Sequence, residues 1–268
     1  MSKTLKGSLY GILFATLLCM MSACGQGKQV ASTEVKKTEK ATTTAKKTKK
    51  STTASKEQTK TQIQTKKYGF VKVTDIDPDI LLEIRYYSGY NFVGRRIDGY
   101  HAPIAYLTKQ AATALKHANT EFKKDGYIIK IYDAYRPQDA TDDFVRWAKD
   151  KSDTKMKKFF YPDVDKSKLF ESGYIAAKTR HSRGSTVDIT IVNMTTGKEI
   201  DTGSHFDVFG EISHYDSDKV TEEQKKNRKE IHDVMIENGF MPYAKEWWHF
   251  TLEDEPYTDT YFNFSVEN

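Results

Sequence analysis

Cysteine is nearly absent from this 268-residue chain. The two present, Cys19 and Cys24, lie within the first 24 residues. The rest of the chain can therefore form no disulfide and can build no metal site from thiolates. Any metal centre there must use imidazole and carboxylate. Long apolar runs are missing too. The stretch from Leu9 to Met20 is short for a bilayer span and suits the apolar region of a secretory signal. Residues 25–67 contain no aromatic side chain at all and consist largely of Lys, Thr, Ala, Ser and Gln. Such a segment cannot bury enough apolar surface to offset its ordering entropy. Excess positive charge is confined to the same end. Residues 1–67 hold fourteen Lys and three Glu, a net +11, whereas the whole chain is +5, which leaves residues 68–268 at −6. The basic isoelectric point of about 8.8 therefore belongs to the N-terminal segment. It is no sign of a nucleic-acid surface, and no nucleic-acid partner is expected.

What is present at the N-terminus reads as an export signal. Lys3 and Lys6 precede the apolar stretch, which ends in Met21-Ser22-Ala23-Cys24-Gly25. Small residues before a cysteine and a glycine after it resemble a bacterial lipobox, in which Cys24 is acylated. The expected organisation is a signal peptide over 1–23, a disordered Lys/Thr-rich tether over 24–67, and one globular domain over 68–268. The expected location is the outer face of a bacterial cell membrane, with the lipid on Cys24 as the anchor. The tether's charge should keep it extended, and it could draw the chain to anionic wall polymers or act as a passive spacer.

The domain reads as mixed. Residues 69–74 and 80–87 look like strands, 108–124 like a helix capped by Thr108, and 127–133 like a strand by alternation. Pro137 can open a helix over 138–150. The β-branched run 186–192 predicts a strand, 221–238 a helix ending at Gly239, and 246–252 a closing strand. The expected class is α+β, with a central antiparallel sheet flanked by helices.

Two histidines stand in unusual settings. One is His181-Ser182-Arg183-Gly184-Ser185-Thr186-Val187-Asp188, the other Glu246-Trp247-Trp248-His249. Two His, one carboxylate and an open fourth position make a catalytic type of zinc site, and His181, Asp188 and His249 supply that set. Gly184 allows the turn that an odd spacing between His181 and Asp188 requires. Glu246 is then the natural general base. Arg136, in Asp133-Ala134-Tyr135-Arg136-Pro137, falls where a strand gives way to a helix and can face a developing oxyanion. Each motif alone is weak: a His before Gly is often a loop residue, paired Trp usually core, and an Arg at a helix entry usually a surface ion pair. Together in a thiol-free domain they are much stronger.

Over most of residues 80–266 the chain resembles the VanX-type D-Ala-D-Ala dipeptidases. These belong to the wider group of zinc peptidases that includes the D,D-carboxypeptidases and the Hedgehog signalling domain. The resemblance runs through Arg85-Tyr86, Asn91-Phe92-Val93-Gly94, Asp98-Gly99-Tyr100, Tyr135-Arg136-Pro137, Ser182-Arg183-Gly184, Phe206-Asp207, Ser213-His214, Glu246-Trp247-Trp248-His249 and the tail from Asp254 to Phe262. It implies one Zn²⁺ on His181, Asp188 and His249, Glu246 as base and Arg136 as stabiliser of the tetrahedral intermediate. It implies that Asp207 binds the substrate's ammonium group, that Tyr86 is a pocket tyrosine, and that Thr179 stands where the family usually has Ser. His214 is expected to be structural or to support the site from outside. The implied substrates are D-Ala-D-Ala or short D,D-peptides, in wall-peptide turnover. Two alternatives stay open: a D,D-carboxypeptidase acting on peptidoglycan stems, and a zinc-binding lipoprotein that cuts nothing.

Overall fold

The computed structural model describes residues 60–268. The signal segment, Cys24 and the tether as far as residue 59 lie outside the described residues. Residues 60–68 form a helix, α1. The tether was expected to run to residue 67, so its last residues are helical instead. Thr61 is buried, and its hydroxyl donates to the Ser265 carbonyl at 3.2 Å, tying α1 to the C-terminal tail.

Two sheets follow. The smaller pairs β1 (Phe70–Lys72) with β3 (Tyr106–Thr108). Between them lie a short helix, α2 (Val73–Ile76), and β2 (Leu81–Leu82). The larger sheet has five strands in the order β2-β4-β5-β7-β6, with β4 at Tyr127–Asp133, β5 at Thr186–Asn193, β6 at Phe240–Tyr243 and β7 at Glu246–Leu252. It is antiparallel except at one edge, where β2 runs parallel to β4. That edge departs from expectation. Ile80, Ile84 and Tyr86 lie inside at alternate positions, but Arg85 is buried between the last two, and only Leu81–Leu82 pair as strand. Arg85–Tyr87 turn into a 3-10 helix. Alternation records which side chains are buried and not which amides are paired. The strand expected over 69–74 is likewise cut to three residues by α2.

The helices cover the sheet. Thr108 caps α3 (Lys109–Lys124) by accepting the Ala111 amide, and the buried positions Ala111, Ala112, Leu115, Ala118 and Phe122 follow helical spacing. Asn119 on the same face accepts from the Ile129 amide at 2.8 Å and donates to Asp77 at 2.8 Å, fastening α3 to β4. α4 (Gln138–Lys149) starts after Pro137, and α5 is a single turn, Lys157–Phe160. α6 (Glu222–Glu237) opens with a capping box between Thr221 and Gln224. It buries an arginine. Arg228 donates to the carbonyls of Thr202, His214 and Ile212 at 2.7, 2.6 and 2.8 Å. Those bonds hold the 202–214 segment, which carries no regular strand or long helix of its own, against α6. Burial pushes the Arg228 pKa down to about 10, still far above neutrality. Among the described residues no helix is long and apolar enough to cross a membrane.

Candidate active site

Sheet register assembles the centre of the site. Asp133 on β4 lies opposite Asp188 on β5, and Asp188 lies opposite His249 on β7. Directly opposed residues share a face, so three polar side chains stand in a row on one face of a sheet whose other face buries Ile129, Ile131, Val187, Ile189 and Phe250. A one-residue bulge between Ile131 and Asp133 aims the end of β4 into this row. A larger irregularity at the β6–β7 end shifts pairing from Pro242↔Phe250 to Tyr243↔Glu246. It explains Glu246: residues three apart on a regular strand face opposite ways, yet Glu246 Oε2 lies 3.5 Å from His249 Nδ1.

His181 arrives from the 3-10 turn Arg180–Arg183. Gly184 ends that turn at φ 87°, and a Cβ there would stand 2.2 Å from the Phe70 ring, so both conformation and space require glycine. Thr179 opens the turn, its hydroxyl accepting from the His181 amide at 3.4 Å.

His181 Nδ1 donates to the Ala134 carbonyl at 2.8 Å, which leaves Nε2 with its lone pair facing the cluster. Nε2 lies 3.3 Å from His249 Nδ1 and 3.3 Å from Asp188 Oδ2, and His249 Nδ1 lies 3.2 Å from Asp188 Oδ1. The edge of a tetrahedron with roughly 2.0 Å metal–ligand bonds is roughly 3.3 Å. Asp188 Oδ1 is buried with no hydrogen-bond partner. His181, Asp188 and His249 thus form a donor group fit to hold a metal ion. Burial opposes charge on Asp188, yet the two histidines hold its carboxyl below the ordinary carboxylate range.

Arg136 lies beside this group. Its Nε donates to Asp133 Oδ2 at 2.9 Å, and its guanidinium stacks over Tyr86 and Phe144 at 4.9 and 5.2 Å. Tyr100 donates to the other oxygen of Asp133 at 2.5 Å. Asp133 and Tyr100 position Arg136. The sequence reading gave neither a role, although both fall inside segments it singled out, and the signal for Asp133 was its place at the end of a strand just before Arg136.

Asp207 sits on the 202–214 segment at φ 67°, a left-handed conformation that aspartate tolerates better than most side chains. Oδ1 accepts from the Tyr86 hydroxyl at 3.1 Å, and Oδ2 is buried without a partner. Burial raises its pKa well above the usual carboxylate range, and the negative charge of Asp188 adds to the effect. Burial likewise raises Glu246 to about 7, against the opposing pull of His249. One cavity of about 240 Å³ is lined by Tyr86, Arg136, Thr179, His181, Asp188, Asp207, Glu246 and His249. Every described residue singled out from the sequence as part of the site therefore meets in one place. His214 does not. Its Nε2 lies 3.3 Å from the Tyr174 hydroxyl, and Tyr174 lines the cavity, so His214 touches the wall and no member of the metal-binding group.

A family profile described as D-ala-D-ala dipeptidase matches residues 66–267. The chain belongs to the D-ala-D-ala dipeptidase family. Among its relatives is a D-alanyl-D-alanine dipeptidase of Enterococcus faecalis, 37% identical over 74% of this chain and 98% of that protein. Another, from Streptomyces coelicolor, is 38% identical over 74% of this chain and 98% of its own length. A third, from Enterococcus faecium, is 34% identical over the same shares. The matched region coincides with the described domain. Its mixed sheet flanked by helices suits this peptidase family, and residues 1–65 lie outside the match to the family profile.

Proposed function

We propose that this protein hydrolyses the D-alanyl-D-alanine dipeptide to two D-alanines, using one zinc ion held by His181, Asp188 and His249. Family membership supports the activity, and a three-ligand set of imidazoles and carboxylate without thiolate supports the metal. The observation that carries the reading is the half-paired, buried carboxylate of Asp207 in the same cavity as that set. A dipeptide is a short zwitterion whose ammonium lies close to the scissile carbonyl. An enclosed carboxylate with one free oxygen is a strong, charge-assisted acceptor for such a group.

Bound at this site, zinc supplies Lewis-acid polarisation of the scissile carbonyl and acidifies the attacking water. Glu246 takes the water's proton and returns it to the leaving amine. Arg136, already oriented by Asp133, faces the oxygen on which negative charge develops, and its own charge is permanent. Tyr86 holds Asp207 through its hydroxyl and forms the apolar wall beside it. Thr179 lines the same cavity beside His181. The chain acts outside the membrane, anchored by lipid on Cys24, on D,D-dipeptide or short wall peptides freed during turnover. The lipobox-like segment and the Lys-rich stretch that follows it support that location.

The test is D-alanine release by the purified domain from D-Ala-D-Ala, L-Ala-L-Ala and a stem pentapeptide, each with zinc and with a chelator. Chelator-sensitive cleavage of D-Ala-D-Ala above the others is expected. Preference for the pentapeptide would make the protein a carboxypeptidase, and zinc binding without any turnover would make it a binding protein. For the location, recovery of the native protein unlipidated in the cytosolic fraction would refute the anchor.

A further inference from the structure

A zwitterionic substrate has two charged ends, and Asp207 accounts for one. The scissile bond lies between them, so a carboxylate whose ammonium partner sits at Asp207 must lie across the metal-binding group. The cations lining the cavity are Arg136, Lys178 and Arg180, apart from the histidines. Arg136 is ion-paired with Asp133 and stacked on Tyr86, at the Asp207 end. Lys178 is drawn over the ring of Tyr261, 4.8 Å from its centroid. Arg180 is different. It is solvent-exposed at the first position of the turn that presents His181, and among the described residues no hydrogen bond or ion pair engages its guanidinium. The carboxylate nearest in charge, Glu255, is already taken by Arg183, which donates Nε at 3.0 Å and approaches with Nη2 at 2.5 Å. Arg180 shares the cavity with Tyr243, on the β6 wall, whose ring stands edge-on to His249 with centroids 5.6 Å apart.

We infer that Arg180 recognises the free C-terminal carboxylate of the substrate. This deepens the dipeptidase reading and rests on it. The guanidinium presents a planar fork that matches a carboxylate in two hydrogen bonds, which a lysine cannot reproduce. Thr179, next to it and also lining the cavity, has its hydroxyl proton free to donate to the same group, because its oxygen accepts from the His181 amide. Asp207 and Arg180 then measure the substrate from both ends and place its central amide over the metal-binding group. The enzyme should be selective for free acids over their carboxamides.

The experiment compares kcat/KM for D-Ala-D-Ala and for D-Ala-D-Ala carboxamide, in the zinc-loaded domain and its variants. The wild type should prefer the acid by about five- to tenfold, the range for a charged contact that is partly open to solvent. Arg180→Ala should bring that ratio close to one, with the loss appearing in KM for the acid. Arg180→Lys should restore part of it. Lys178→Ala should keep the wild-type ratio, since its ammonium is drawn onto Tyr261. A wild type that cleaves the acid while Arg180→Ala retains the full preference would overturn the inference and leave the dipeptidase reading standing. Equal losses from Arg180→Ala and Lys178→Ala would overturn it as well, since they would mean a diffuse field. No cleavage of either substrate by the wild type would instead remove the dipeptidase reading, and this inference with it.

Discussion

The metal-binding half of the cavity and the substrate-binding half are held by different means. Asp188 and His249 are neighbours by sheet register, and His181 comes from a turn that Gly184 and Phe70 lock against the core. Asp207, by contrast, lies on the 202–214 segment, which has no strand partner and is held by buried Phe206 and Phe209 and by individual polar contacts. Among these contacts are three carbonyls on Arg228, the Phe209 amide on the Phe160 carbonyl, the Phe206 ring against Tyr132 and Trp248, and the Tyr86 hydroxyl on the carboxylate itself. Strand pairing fixes the first half cooperatively, and losing one side chain there removes a function without moving its neighbours. The second half is held without strand pairing, by side-chain packing and separate hydrogen bonds. It follows that chemistry and recognition should be separable by mutation.

The largest separation is expected from Glu246→Ala. It should lower kcat by about a thousandfold, the scale of a lost general base, while metal content stays at the wild-type level. His181→Ala is its counterpart, losing the metal itself, and metal analysis of the purified proteins checks both. Near-native turnover in Glu246→Ala would mean that the base is another group. Next, Asp207→Ala should reduce kcat/KM for the dipeptide by about a hundredfold, as for a lost buried charge-assisted contact, and affect longer peptides less. If metal binding fell in parallel, the two halves would not be separable. Arg228→Met should cost about 2–3 kcal/mol in urea unfolding, because buried carbonyls lose their donor. Its surviving folded fraction should show a raised KM before any loss of metal.

The smallest effect should lie outside both halves. Asp143 is buried and accepts two bonds from Arg95, at 2.7 and 2.6 Å. Burial alone would raise its pKa, but Arg95 outweighs burial and holds the folded value below the usual one. A depressed carboxylate pKa contributes stability above the unfolded value of about 3.9, and that contribution vanishes as pH falls through the folded value. Asp143→Asn should therefore be less stable than the wild type by about 1 kcal/mol at neutral pH, with the gap closing only below pH of about 4. Urea midpoints between pH 7 and pH 3 measure it.

The same division governed what could be read in advance. The β5 run, the α3 spacing, the glycine after His181 and the Glu–Trp–Trp–His segment are local patterns, and they led from residues to the metal-binding group directly. Asp207 was reachable only through the family resemblance. Nothing in its neighbourhood says that residue 207 adopts a left-handed conformation or that Arg228, 21 positions later in sequence, holds its segment. Asp133 and Tyr100 were passed over for a similar reason: their role is to orient Arg136, and that appears only when β4 meets the 98–100 turn. β6 went unread because Pro242 interrupts a four-residue stretch, a pattern tolerated at a sheet edge, which is where it lies. The helical end of the expected tether was masked by composition, since α1 is fixed through contacts with the distant C-terminal tail.

The most direct test of the account is to block the amine that Asp207 is held to bind. D-Ala-D-Ala and N-acetyl-D-Ala-D-Ala differ only at that end, and the scissile bond is the same. With zinc present, the domain should release D-alanine from the free dipeptide at least a hundredfold faster in kcat/KM, since the acetylated form leaves the Asp207 carboxylate buried and unpaired. Equal or faster cleavage of the acetylated dipeptide would contradict the account, because the cavity would then be reading the carboxyl end of a longer chain.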